Sequence, residues 1–284
     1  MIRWEGAIKR EALIRGQMFT EAERDQLRTR LLDRARADRC ITGAAITGSA
    51  ARGAEDRWSD VDLFFGVAAG LAPEDVLGAW SQFMYQELGA LHHFDLRSGP
   101  AIYRAFLLPA CLEVDLAFTP AAAFGARGPH FRTVFGEAIE RPDMPRAGRD
   151  HIIGLAWHHV LHARMCIERH KVWQAEYWIS SVRNQAFTLA CLRFGQPTDY
   201  AKGVDALPSE VTARCADALV RRLTPSELRR ALGVAVTALL GELREADADL
   251  AEKLEGPLRE LAAASPASSA SKGTVVPEGP STRA

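Results

Sequence analysis

GSAARGAEDRWSDVDL, residues 48–63, sets a Gly-Ser pair ahead of an Asp-x-Asp pair flanked by Val and Leu. The run SDVDLFFGV, 59–67, alternates acidic and apolar residues before becoming wholly apolar. That is the pattern of a strand buried at one end and lining a site at the other. Because strand side chains alternate, Asp60 and Asp62 share a face, close enough for their oxygens to hold one hard divalent cation. Mg²⁺ typically takes one or two protein carboxylates and keeps positions for water and substrate phosphates, so a nucleoside triphosphate is the natural ligand. Just upstream, ITGAAIT (41–47) is short, apolar and β-branched at its ends, and it runs into Gly48-Ser49, which predicts a strand followed by a turn. In that turn Gly48 lets backbone approach a phosphate, Ser49 adds a hydroxyl and Arg52 offers a forked donor to the same oxygens.

In-line attack at phosphorus is helped by a further acid that activates the incoming hydroxyl. CLEVDLAF, 111–118, supplies two candidates on one strand face, Glu113 and Asp115. Asp115 is favoured, because an acid inside the apolar run Val-Asp-Leu-Ala-Phe has no structural reason to be there unless it is used; Glu113 stays open as the base instead. An isolated Asp-x-Asp is most simply a solvated strand edge or an Asx turn. The Gly-Ser turn, the strands on both sides and the second acid-bearing strand weigh against that bland alternative.

Around this segment the chain reads as alternating elements. TEAERDQLRTRLLDRARADR, 20–39, is an amphipathic, solvent-facing helix with Thr20 as N-cap and Glu23 three residues on. PEDVLGAWSQFMYQELGAL is helical with Pro73 near its start, and HHFDLRS, IYRAFLLP and CLEVDLAF read as three further strands. Residues 121–148, rich in Gly, Pro and Ala, read as a loop-like crossing. Beyond 149 the period changes: Ile152, Ala156, Val160, Ala163 and Ile167, then Ala175, Ile179, Val182, Ala186 and Leu189, predict two helices packed as a pair. Thr224-Pro225-Ser226-Glu227 has the capping-box form and opens a long helix. The expected organisation is α+β: a sheet-containing domain over 1–148, an all-helical domain over 149–264, and a disordered Ser/Ala/Pro/Gly/Thr-rich tail over 265–284.

Thirty-five Lys and Arg against 36 Asp and Glu give a net charge of −1 in 284 residues, so no global positive field draws the chain to nucleic acid or to an anionic membrane. The five cysteines form no C-x-x-C pair, which argues against a zinc knuckle or a disulfide framework. No secretory leader opens the sequence and no apolar run reaches the roughly 18 residues that span a bilayer, so the expected location is the cytoplasm. Secondary candidates lie in the helical half. His158 and His162 stand at i, i+4 but lack the acid and third ligand of a zinc motif. Trp173, Tyr177 and Trp178 are expected in core packing or at a homodimer interface.

Gly48-Ser49, Asp60-Val-Asp62-Leu and Val-Asp115-Leu together resemble the signature of the DNA polymerase β-type nucleotidyltransferase superfamily, across about residues 41–118. Within it the chain looks most like the small antibiotic nucleotidyltransferases of aminoglycosides or lincosamides, which append a helical domain. The resemblance implies a mixed sheet flanked by helices, Asp60 and Asp62 as metal ligands, and Asp115 as third ligand or base. It further implies Mg²⁺, ATP or another NTP as co-substrate, a small hydroxylated acceptor facing the second domain, and Lys202, in DYAKGVDALP, reaching the triphosphate. Two alternatives stand beside it: a protein adenylyltransferase of the toxin–antitoxin kind, and a nucleotide-binding protein without catalysis.

Overall fold

A computed structural model of the chain describes residues 18–126, 130–142 and 148–263. The expected tail, 265–284, lies outside the described residues. The chain divides into two compact units, one through Pro145 and one from Arg146.

The first unit opens with α1 (Glu21–Ala37), whose N-terminus closes the expected reciprocal cap: Thr20 Oγ1 accepts from the Glu23 amide and the Glu23 carboxylate accepts from the Thr20 amide. Strands β1 (Ile41–Thr47), β2 (Val61–Val67), β3 (His92–Ser98), β4 (Ala101–Leu107) and β5 (Glu113–Pro120) follow, with α2 (Pro73–Glu87) between β2 and β3. With a sixth strand, β7 (Phe131–Phe135), they form a mixed sheet in the order β3-β4-β5-β2-β1-β7, in which β2 and β5 run parallel. The sixth strand comes from the segment expected to be loop and pairs with β1. Phe131, Thr133, Val134 and Phe135 are good strand formers, and the open edge of β1 supplies the partner that a local reading cannot see. Two short strands, β6 (Gly125–Ala126) and β8 (Ile139–Glu140), pair alongside it.

Period-two alternation sorts the sheet into two faces. Val61, Leu63, Phe65 and Val67 of β2 join Phe106, Val114, Leu116 and Phe118 in the core against α1 and α2. Trp80 of α2 seals this layer, its ring 4.8 Å from Phe65 and 5.6 Å from Phe118, while its indole N–H donates to Asp38 at 2.9 Å. The opposite face holds a smaller cluster of Phe64, Ala45, Ala101, Ala117 and Phe124. Phe124 lies so close to the sheet that a Cβ on Gly43 would meet its ring at 2.7 Å. Asp62, Asp115 and Glu113 share this second face by alternation.

The second unit is helical: α3 (Arg149–Glu168), α4 (Val172–Arg193), α5 (Ser209–Ala216), α6 (Pro225–Ala246) and α7 (Ala248–Ala262). The two apolar stripes read from the sequence are buried together with Leu228, Leu232, Val236, Leu239 and Leu243 of α6. Glu242, only 4% exposed, is held inside by Arg193 through contacts of 2.8–3.0 Å. At the start of α6 the cap is one-sided. Thr224 accepts from the Glu227 amide, but the Glu227 carboxylate turns to the Arg221 amide and Arg230. Of the aromatic residues of α4, expected in core packing or at a homodimer interface, Trp173 is 75% and Tyr177 61% exposed, so core packing does not hold for these two. Among the described residues, no helix is long and apolar enough to cross a membrane.

Candidate active site

Three carboxylates from two neighbouring strands converge on the second face of the sheet. Asp60 stands one residue before β2, Asp62 is the second residue of β2, and Asp115 lies directly opposite Asp62 on the parallel strand β5. One oxygen from each lies within 4.8 Å of the other two. This is the one group of three or more potential ligands found among the described residues. Glu113, one pleat earlier on β5, is exposed and outside the group. Alternation gives Glu113 and Asp115 the same face, and distance along the strand separates them.

The three carboxylates crowd like charge into a partly buried place. Asp115 Oδ1 is buried without a hydrogen-bond partner. Burial, reinforced by the charges of Glu113 and Asp60, pushes the Asp115 carboxyl up from 3.8 to about 6. Leaving a buried carboxylate oxygen unpaired is costly, and a hard, oxygen-preferring dication is the group that would relieve both the orphaned atom and the mutual repulsion. The donor set therefore fits Mg²⁺ or a cation like it, which Asp60, Asp62 and Asp115 could hold together.

The turn after β1 adjoins the cluster. Gly48 has φ +65°, and a Cβ there would fall 1.8 Å from Asp62 Oδ2. Glycine is thus required twice, by backbone conformation and by the carboxylate that occupies its side-chain space. Ser49 precedes a short 3₁₀ turn (Ala50–Arg52), and its carbonyl accepts from the Arg52 and Ala54 amides. Arg52 is exposed and makes no ion pair with any described residue.

The segment leading into Asp60 is fastened from α1. Arg24, expected on a solvated helix face, is 4% exposed and donates to the carbonyls of Asp56 and Ser59. Arg28 pairs with Glu55 at 2.8 Å. Within the loop the Asp56 carboxylate accepts from the Trp58 amide and the Ser59 hydroxyl. Sequence reading missed these positioning contacts; the available signal was two arginines one helical turn apart, facing an acidic loop.

Two further candidates belong to the second unit. Lys202 stands in the turn after α4, with its ammonium 5.9 Å from the Tyr200 ring centroid. His158 and His162 bring their rings to 4.3 Å on α3, but no third ligand joins them among the described residues.

No protein-family model matches the chain, and no curated protein matches it. Among solved structures it is similar to an aminoglycoside 6-adenyltransferase from Bacillus subtilis, at 11% identity and a TM-score of 0.34, over 81% of this chain and 95% of that one. So distant a likeness adds nothing to the chemistry, which rests on the residues themselves.

Proposed function

We propose that the chain is a Mg²⁺-dependent nucleotidyltransferase that moves a nucleoside monophosphate, AMP from ATP, onto a hydroxyl of a small molecule. The observation that supports it best is the convergence of Asp60, Asp62 and Asp115 with a buried, unpartnered oxygen on Asp115.

When bound, the cation neutralises charge on the phosphate oxygens and lowers the barrier to displacement at the α-phosphorus. Asp62 on β2, Asp60 just before it and Asp115 on β5 would hold it. Asp115, whose Oδ1 is buried, is the carboxylate that would take the proton of an incoming hydroxyl. The acceptor oxygen forms the new bond to phosphorus as the bond to the bridging oxygen breaks, and pyrophosphate leaves. Ser49 and the backbone of the Gly48 turn bind the β and γ phosphates, with Arg52 offsetting the charge of the leaving pyrophosphate. A cytoplasmic role in antibiotic modification is the biological setting that suits such chemistry.

The test is incubation with ATP, Mg²⁺ and a panel of hydroxylated small molecules, aminoglycosides and lincosamides included, with mass spectrometry for a nucleotidyl adduct. Asp60→Asn is expected to lower turnover by more than about a hundredfold with the fold intact. Undiminished turnover in that variant contradicts the assignment.

A further inference from the structure

The strand register lays out a row across the sheet beside the carboxylates. Asp62 stands opposite Asp115, Asp115 opposite Ala105 on β4, and Ala105 opposite Phe94 on the edge strand β3. In the neighbouring row Ala117 meets Tyr103 and Tyr103 meets Leu96; on the other side Glu113 meets Leu107. All these side chains rise from the carboxylate face. Phe94 is 53%, Leu96 58% and Leu107 44% exposed, a clustered apolar surface on a face otherwise built for charge. Ala105 keeps the path between Phe94 and Asp115 low.

The flank on which this shelf lies has a mechanistic meaning. The Gly48 turn follows β1, and β1 lies beyond β2 in the sheet, so turn and shelf stand on opposite sides of the carboxylates. In-line displacement requires the entering and leaving oxygens to lie on opposite sides of the phosphorus. If pyrophosphate departs toward the Gly48 turn, the acceptor enters from the side of β4 and β3. With strands about 4.8 Å apart, Phe94 stands two strands, or roughly 10 Å, from Asp115, about the length of a two-ring molecule.

The polar content of this flank is equally informative. Arg97 and Arg104 project from the other face of the hairpin, where they pair with Glu74 and Asp95. Beyond the cluster itself, Glu113 is the carboxylate that the β3, β4 and β5 positions of this face offer, with His92, opposite Leu107, and Tyr103 among its other polar side chains. A polycation would find one partner there, whereas an apolar ring or chain would find three exposed apolar side chains.

We infer that Phe94, Leu96 and Leu107 form the acceptor platform and that the acceptor is a neutral or singly charged hydroxyl compound carrying an apolar ring or chain, not a polycation. This rests on the nucleotidyl-transfer reading of the carboxylate cluster and names the acceptor side of that same site.

The test uses the full chain with Mg²⁺ and ATP against two acceptor sets: alkyl and aryl glycosides of increasing apolar length, and polycationic aminocyclitol glycosides. Adducts are expected in the first set, with KM falling as the apolar group grows. Phe94→Ser combined with Leu96→Ser is expected to raise KM for the longest members about tenfold while leaving KM for Mg-ATP unchanged. Phe94→Leu, which keeps an apolar side chain, retains most of the native KM. Transfer confined to the polycations, a KM indifferent to apolar length or to the double substitution, or no adduct in either set while Mg-ATP still binds, overturns the inference. Failure of Mg-ATP to bind, or binding unchanged by Asp60→Asn, overturns the nucleotidyl-transfer reading instead.

Discussion

The side-chain position that Gly48 leaves empty is filled by the carboxylate of Asp62: a Cβ built on Gly48 would lie 1.8 Å from Asp62 Oδ2. A turn residue and a strand residue thus share one small volume, and the position of the Asp62 carboxylate depends on the absence of an atom elsewhere.

Gly48→Ala therefore carries two penalties. At φ +65° an L side chain costs about 1–2 kcal/mol, and the new methyl displaces the Asp62 carboxylate. Thermal denaturation is expected to show the destabilisation, and the rise in Tm produced by Mg²⁺ is expected to vanish. A variant as stable as the parent and equally responsive to Mg²⁺ contradicts the close approach.

Asp115 gives the metal-free protein a pH signature. Its carboxyl lies at about 6 in the fold against an ordinary 3.8, so the folded state binds this proton more tightly than the unfolded chain does. The stability it contributes is fully present below pH about 4 and is lost as pH rises through about 6. Asp115→Asn removes the burden. In EDTA the variant is expected to gain on the parent across that window, levelling off above it at about 1–2 kcal/mol once solvent screening of this partly exposed group is allowed for. A stability difference flat with pH counts against the burial and charge crowding described for Asp115.

Arg24 acts on the site through the loop that ends at Asp60. Replacing it with Met keeps much of its bulk but removes its bonds to the Asp56 and Ser59 carbonyls, at a cost of about 1–3 kcal/mol; the Asp56 carbonyl keeps the Ser59 amide. Because the loop positions Asp60, the proposed cation site is expected to lose roughly 10–100-fold in affinity, as calorimetric titration would register. A loss of stability with unchanged cation affinity would reduce Arg24 to a purely structural part.

In the helical unit the buried Glu242 depends on Arg193. Arg193→Met alone is expected to cost about 3–5 kcal/mol, because it leaves a carboxylate inside without its partner. Adding Glu242→Leu is expected to recover most of that loss. Chemical denaturation of the single and double variants distinguishes this from simple additivity, in which the double variant is the weaker of the two.

Much of this architecture is readable in local pattern. The apolar β-branched run at 41–47 and the acid-apolar alternation after Ser59 mark β1 and β2 with little ambiguity, and the spacing from Ile152 to Leu189 marks α3 and α4. What local pattern omits is partnership. Phe131–Phe135 becomes a strand because β1 offers an open edge, a fact stored in a segment some 85 residues earlier. Arg24 reads as solvent-facing because it is charged, yet it is buried by the loop carbonyls it satisfies. Glu113 and Asp115 are equivalent by parity, and the register of β5 against β2 is what sets Asp115 opposite Asp62. The apolar row beyond them is likewise invisible along the chain, since Phe94, Ala105 and Asp115 become neighbours through two successive pairings.

The most direct measurement is the Mg²⁺ dependence of thermal stability in the parent and in four single variants. A cation shared by Asp60, Asp62 and Asp115 predicts that Mg²⁺ raises Tm in the parent and in Glu113→Gln, and that Asp60→Asn, Asp62→Asn and Asp115→Asn each abolish the rise. A Mg²⁺ response that survives in Asp115→Asn, or that disappears in Glu113→Gln, contradicts the shared site.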